Sequence, residues 1–244
     1  MIKFIVFFTK AVIITLITIL FSSCNSSLSQ GLKGTGNVQT ETRNIAEPFT
    51  KIEASRGLEV IVEQAPNVSV EVEADQNLLS HIITKVEKGT LIVSSDENIF
   101  SSKAEIVRVK MPQVEGISTS SGSSLSTKNS IKGTNLIVSS TSGSKIDATI
   151  EYDATTASST SGSTISISGK TIKLSTNSTS GSSVKAGKLL ANDVVATSSS
   201  GSSTTVKPLV SLKATASSGS SINYEGVPKS VNKDESSGAS ISKK

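Results

Sequence analysis

Residues 155–184 read TTASSTSGSTISISGKTIKLSTNSTSGSSV, and this stretch decides the fold. Two Ser-Gly pairs, Ser161-Gly162 and Ser180-Gly181, stand 19 residues apart in it; three residues after each glycine comes an aliphatic side chain, Ile165 and Val184. Working outward, the pair recurs as Ser121-Gly122, Ser142-Gly143, Ser200-Gly201, Ser218-Gly219 and Ser237-Gly238, with glycine spacings of 21, 19, 19, 20, 18 and 19. A fixed period near twenty marks a repeat architecture, in which each unit buries its apolar face against its neighbours.

The residues around each glycine carry the strand signal. Three after it stand Leu125, Ile146, Ile165, Val184, Thr204, Ile222 and Ile241, so Thr204 is the one polar break. Seven before it come Leu136, Leu174, Val194, Leu212 and Val231, with Glu115 and Thr155 as exceptions. Five before it come Ile117, Val138, Ala157, Ala196 and Ala214, against Thr176 and Lys233. The position two before is always Ser or Thr, and the position two after is always polar. Alternation with period two belongs to strands, not helices. Strands returning every 18 to 21 residues leave no room for a crossover helix, so they stack as coils about 4.8 Å apart. The expectation is an all-β, single-stranded parallel β-helix, a solenoid with coils of about 19 residues, right-handed by the general rule for parallel strand–connection–strand units. Glycine marks a corner that needs either φ > 0 or a close backbone approach.

Composition agrees with a thin core. The 244 residues include no Trp, two Tyr and six Phe, and three of those Phe (Phe4, Phe7, Phe8) lie in the first eight positions. Ser-rich sequence is also a mark of disorder, but Ile, Val and Leu recur at fixed spacing throughout the Ser-rich half. The formal charge is +4; without Lys3 and Lys10 it becomes 22 basic against 20 acidic residues, which leaves no electrostatic footprint for nucleic acid.

Residues 1–23 read as a lipoprotein signal peptide: Lys3, then apolar sequence to Phe21, then Ser22-Ser23-Cys24. A small pair before a lone Cys resembles a lipobox, which makes Cys24 the lipid attachment site and gives the chain a membrane partner through its N-terminal lipid. An uncleaved transmembrane anchor is the alternative, but Lys10 in mid-span would cost roughly 2.5–3.5 kcal/mol. Ordinary secretory cleavage is a second alternative. Residues 24–33 are polar and read as a flexible tether.

Residues 34–244 form the β-helical body, irregular over 34–115 and regular over 116–244. In the irregular part Arg56-Gly57, with Ile52 before it and Val60 and Val62 after it, keeps the register of the later coils. Alternating runs follow at Val68–Val72, Thr90–Val93 and Val107–Met111, and Asn77–Ile83 reads as one helical turn. This part is expected to cap the solenoid, whose open ends would otherwise expose unpaired backbone. At the far end Lys233, Lys243 and Lys244 discourage end-to-end stacking.

Several segments resemble a known family: Gly34–Val38, Glu47–Glu53, Val70–Leu78, Lys88–Leu91, Val109–Pro112 and the Ser-Gly-Ser repeats after them. The chain is identified over roughly residues 34–226 as a member of the auto-transporter adhesin head domain family, or GIN domain, common in Bacteroidetes lipoproteins. The resemblance implies a β-helical fold and an envelope location, and it brings no catalytic residues with it.

The chain offers little for chemistry. Its one His, His81, cannot build a His-based metal site, and no Gly-x-Ser-x-Gly elbow exists. Counted from the preceding glycine, Asp147, Glu151, Asp153, Asp193, Glu225 and Asp234 fall in different columns. Asp147, Glu151 and Asp153 share one coil and read as a solvated face. No catalytic residue, cofactor or metal is expected. The outward column Thr141, Thr160, Thr179 and Ser199 is the candidate contact strip, for a surface glycan or an envelope protein. The leading expectation is a non-catalytic outer-membrane lipoprotein acting as an adhesin-like or scaffolding module. A carbohydrate-active β-helix enzyme is the alternative and would need three or more carboxylates in one groove; a purely structural envelope protein is the third reading.

Overall fold

The computed structural model describes Lys10, residues 12–15 and residues 31–244. The regular half is a parallel β-solenoid. From Lys145 onward each coil is one long bent strand: Lys145–Ser159, Thr164–Ser178, Ser183–Ser198 and Ser203–Ala216. Each pairs in parallel with the next, Ile146 beside Ile165 beside Val184 beside Thr204. The coils before and after are split into shorter strands, Gly116–Thr119, Ser124–Thr127 and Ile131–Ser140 on one side, Ser221–Tyr224, Ser230–Glu235 and Ser240–Lys243 on the other.

The Ser-Gly pairs are the corners, and their backbone explains the motif. In every pair both residues have positive φ, Ser161 at 53° and Gly162 at 71° for example. Two consecutive left-handed residues make a type I′ turn, which brings the chain back on itself in the least space. The turn's own bond closes it, Ser163 N donating to Thr160 O over 3.2 Å. A Cβ on the corner glycines would meet nothing within 4 Å, so these positions are glycine for their φ and not for crowding. The corners stack: each glycine N–H donates to the αL serine carbonyl of the next coil, at 3.0–3.1 Å from Gly57 to Gly219. Arg56-Gly57, at φ of 59° and 80°, is the first member of that ladder, as its register implied.

Inside the corner lies a second ladder. From Gly122 to Gly219 the residue after each corner glycine is a buried serine, and its hydroxyl donates to a backbone carbonyl of the preceding coil: Ser144 to Thr119 O at 2.9 Å, Ser163 to Ser140 O at 2.6 Å, Ser182 to Ser159 O at 2.6 Å, Ser202 to Ser178 O at 2.7 Å. The same oxygen accepts the N–H that opens its own turn, Thr160 N to Ser163 Oγ at 3.1 Å. Bends of this tightness leave buried polar backbone, and a hydroxyl one atom from the chain satisfies it without widening the coil.

The aliphatic columns fill the remaining interior, and two of the three buried threonines that break them, Thr204 and Thr155, are answered locally. Thr204 is fully buried and its hydroxyl lies 2.7 Å from Ser198 Oγ across the coil. Thr155 pairs with Thr171 at 3.2 Å; Thr176 Oγ1 has no hydrogen-bond partner. Lys233 ends the column Ala196–Ala214, beside Ala214 in register. It turns over the open end, donating from Nζ to Ile241 O at 3.0 Å with its ammonium 5.0 Å from the Tyr224 ring.

The irregular part is a cap, with one departure from simple stacking order. Strands Lys51–Ala54 and Glu59–Gln64 form a coil that pairs on one side with Gly116–Thr119 and Ser124–Thr127. On its other side lie Thr90–Ser95 and Glu105–Met111, later in sequence but further out in space. The chain thus lays down an inner coil, builds the end beyond it, and then returns across to start the regular stack. The outermost layer is antiparallel: Ser69–Asp75 on Glu105–Met111, Val38–Arg43 on Ser69–Asp75, and Ile82–Glu87 on Thr90–Ser95 through the two-residue turn Lys88-Gly89. Antiparallel hairpins close the end of a parallel stack because they need no further coil to pair with. The helical turn is 3-10 and spans Leu79–His81, and Leu32–Lys33 pairs in parallel with Ile99–Ser101.

Candidate functional site

Two edges of the solenoid present repeated side chains to solvent. The first is the Ser-Gly corner with the flat strand before it. Thr141, Thr160, Thr179 and Ser199 stack there, half-buried, as two hydrogen-bonded pairs: Thr141 Oγ1 to Thr160 Oγ1 at 3.3 Å, and Ser199 Oγ donating to Thr179 Oγ1 at 3.1 Å. The exposed residues of the corner are the αL serines beside them, Ser142, Ser161, Ser180 and Ser200, the first three with hydroxyls 3.2–3.5 Å from those of the strip. Two further outward columns adjoin the strip, Ile137, Thr156, Ser175 and Val195, then Ser139, Ser158, Asn177 and Thr197, each in register across four coils. None of these twelve positions is charged, and Lys213 ends the uncharged run in the next coil. A sequence reading centred on the strip overlooks these columns, although their even offsets from the glycine place them on the same outward face.

The second edge is the bend opposite the Ser-Gly corner, where the in–out alternation slips by a residue or two. Coil-length differences are absorbed here: the register shifts between Ser166 and Ser168, and again between Ala186 and Leu190 and between Ala191 and Asp193. A groove of about 540 Å³ runs along this edge past Glu151, Tyr152, Lys170, Ile172, Leu190 and Leu209. It is continuous, through Lys132, Gly133 and Tyr152, with a second groove of about 620 Å³ reaching Lys51, Gln64 and Glu115. Tyr152 forms the floor, its hydroxyl donating to Val114 O at 2.6 Å; burial pushes its ionisation well above the usual range, with the Glu115 charge adding to it. Gly133 exists to admit that ring, since a Cβ there would lie 2.6 Å from it.

The acids do not assemble a reaction centre. Glu151 bridges coils, bonded to Lys170 at 2.8 Å and Lys132 at 3.1 Å, and those two lysines hold its carboxyl below the ordinary value. Asp147 lies instead on a separate groove of about 570 Å³ with Glu225, Lys185 and Lys188, so a coil-mate of Glu151 and Asp153 faces elsewhere. His81 Nδ1 is 3.0 Å from Asp96 Oδ1 at the surface of the cap. Among the described residues no three His, Cys, Asp or Glu side chains are grouped to hold a metal ion. No described helix is long and apolar enough to cross a membrane. Cys24 lies outside the described residues.

This combination defines a class: a capped, Ser-Gly-cornered parallel β-solenoid whose repeated outer surface is a set of ladders. Comparison with known proteins makes the assignment specific. The family model described as putative auto-transporter adhesin, head GIN domain, matches residues 48–228, and the chain belongs to that family. No curated protein matches it. Among solved structures, a putative adhesin from Bacteroides fragilis NCTC 9343 is similar with a TM-score of 0.81 at 20% identity, over 88% of this chain and 100% of that one. A putative lipid binding protein from Parabacteroides distasonis ATCC 8503 gives 0.70 at 18% identity, over 88% and 100%. A putative adhesin from Parabacteroides merdae ATCC 43184 gives 0.70 at 17%, over 87% and 98%. At these identities the likeness is one of fold.

Proposed function

We propose that the chain is an outer-membrane lipoprotein, anchored through Cys24, that serves as an adhesin-like binding module without chemistry of its own. The observation that carries the reading is the uncharged outer face beside the Ser-Gly corners: four coils of hydroxyl, amide and β-branched side chains at a constant step of about 4.8 Å. A rigid array with one step repeated many times suits a polymer whose own units repeat, since weak contacts then act together. Thr141, Thr160, Thr179 and Ser199 stand at its edge and form the contact strip. The lack of charge favours a neutral glycan over a uronate-rich one. The dispersal of the acids, with Glu151 held between two lysines, supports binding rather than cleavage. The family and the adhesin-like relatives support the same class and a place in the cell envelope.

The test uses the chain from residue 24 onward with Cys24→Ala, passed over immobilised neutral and acidic glycans. Saturable retention on a neutral glycan is expected, and it should vanish in the triple variant Thr141→Glu, Thr160→Glu, Thr179→Glu with the strand circular dichroism intact. Retention that survives the triple variant, or that appears on acidic glycans alone, refutes the contact strip. Shortened glycan products would establish the enzyme alternative. The anchor is tested separately: cells fed a labelled fatty acid should label the wild-type chain and not Cys24→Ala.

A further inference from the structure

The bend opposite the Ser-Gly corner carries a feature that glycan contact does not use. In its four C-terminal coils it exposes a row of aliphatic side chains along the groove: Ile172 at 47%, Leu190 at 43%, Leu209 at 44%, Val210 at 38% and Val227 at 81%. Each coil contributes to it: Leu190 stands between Lys170 and Lys207 in register, and Ile172, Leu190 and Leu209 line one groove across three coils. Single exposed aliphatics are ordinary, as Ile137 and Val195 show, two in one column separated by Thr156 and Ser175. A row repeated on four consecutive coils is a patch, and a patch marks an interaction surface.

The charges around it indicate what it meets. Lysines flank the row at every coil: Lys173 after Ile172, Lys188 before Leu190, Lys207 before Leu209, Lys229 after Val227. Residues 168–230 hold seven lysines, of which Lys185 and Lys213 face elsewhere, and two acids, Asp193 and Glu225; Glu151 and Asp153 of the preceding coil also line the groove, Glu151 paired with Lys170. Asp193 is engaged by the Ser211 hydroxyl at 2.6 Å. Aliphatic tips alternating with long cationic stems are the composition that settles at a lipid–water boundary, the tips in the acyl region and the ammonium groups among anionic headgroups. We infer that this row is a membrane-facing edge, which lays the C-terminal coils against a bilayer containing anionic phospholipid. The Ser-Gly face, on the other side of the coil, is then turned outward. The inference goes beyond the adhesin-like reading and makes no use of an acyl chain.

The test is vesicle flotation with the chain from residue 24 onward carrying Cys24→Ala, so that a failed row and a failed anchor are distinguishable. The probes are vesicles of phosphatidylethanolamine with phosphatidylglycerol, and vesicles of phosphatidylcholine alone. The parent should float with the anionic vesicles and not with the neutral ones. The bound fraction should fall at least about tenfold in Ile172→Ser, Leu190→Ser, Leu209→Ser, Val227→Ser, and similarly in Lys173→Gln, Lys188→Gln, Lys207→Gln, Lys229→Gln. All eight side chains lie outside the core, and circular dichroism checks that the fold is kept. A parent that does not float, or a serine variant that floats as well as the parent, overturns the inference. A parent that is dimeric by light scattering, with a monomeric serine variant and no flotation, assigns the row to a second copy and overturns it too.

Discussion

Replacing glycine by alanine at two positions seven residues apart separates two physical reasons for glycine. At Gly162 the added Cβ meets nothing within 4 Å, and the whole penalty is the left-handed φ of 71°. That conformation costs an L-residue about 1–2 kcal/mol, and alanine recovers about 0.4–1 kcal/mol by stiffening the unfolded chain, leaving a net loss near 1 kcal/mol. Ser161 next to it already accepts the same conformation at 53°. At Gly169 φ is 109°, and the Cβ would stand 2.1 Å from the carbonyl oxygen of Ile150 in the coil before. Neither backbone can yield without breaking the pairing of Ile150 with Gly169, so strain and lost pairing add to about 4 kcal/mol or more. Urea unfolding followed by far-ultraviolet circular dichroism reads the difference. With a slope of roughly 2–3 kcal/mol per molar for a body of this size, Gly162→Ala should lower the midpoint by about 0.4 M and Gly169→Ala by more than about 1 M. Equal shifts, or a larger one at Gly162, would refute the distinction.

Three further outcomes follow from the buried polar groups. Ser144→Ala and Ser202→Ala should each cost about 1–2 kcal/mol by removing an inter-coil hydroxyl bond, and the two should add, since three coil steps hold them about 14 Å apart. Thr204→Val alone should cost about 1–3 kcal/mol because it leaves Ser198 Oγ buried without its partner, while adding Ser198→Ala should restore most of the loss. Burial raises the Glu105 carboxyl above its ordinary value, with a Ser102 hydrogen bond opposing and the Asp75 charge reinforcing the shift. A raised acid contributes stability that is complete below the unfolded pKa of about 4.3 and lost as pH rises through the folded value. Glu105→Gln should therefore raise the melting temperature at pH 7 and change it little at pH 4, and an equal effect at both would dismiss the burial account.

The sequence by itself determined the coil. A Ser-Gly pair every 18 to 21 residues, with Ile146, Ile165 and Val184 three residues on, fixes both the corner and the inward face, because strand alternation is local and one turn type resets it every coil. The family was legible for the same reason, from the cap segments in their order together with the Ser-Gly-Ser repeats. It did not determine whether glycine served φ or space; only the empty surroundings of Gly162 and the carbonyl beneath Gly169 separated the two. Nor did it reveal that residues 90–111 lie outside the coil of residues 51–64, since which side of an edge a later strand joins depends on which edge is still unpaired. The opposite bend stayed hidden as well. It carries no fixed motif and absorbs the variation in coil length, so Ile172, Leu190, Leu209 and Val227 drift from ten to eight residues after their corner glycines and become one exposed row only when the coils are stacked.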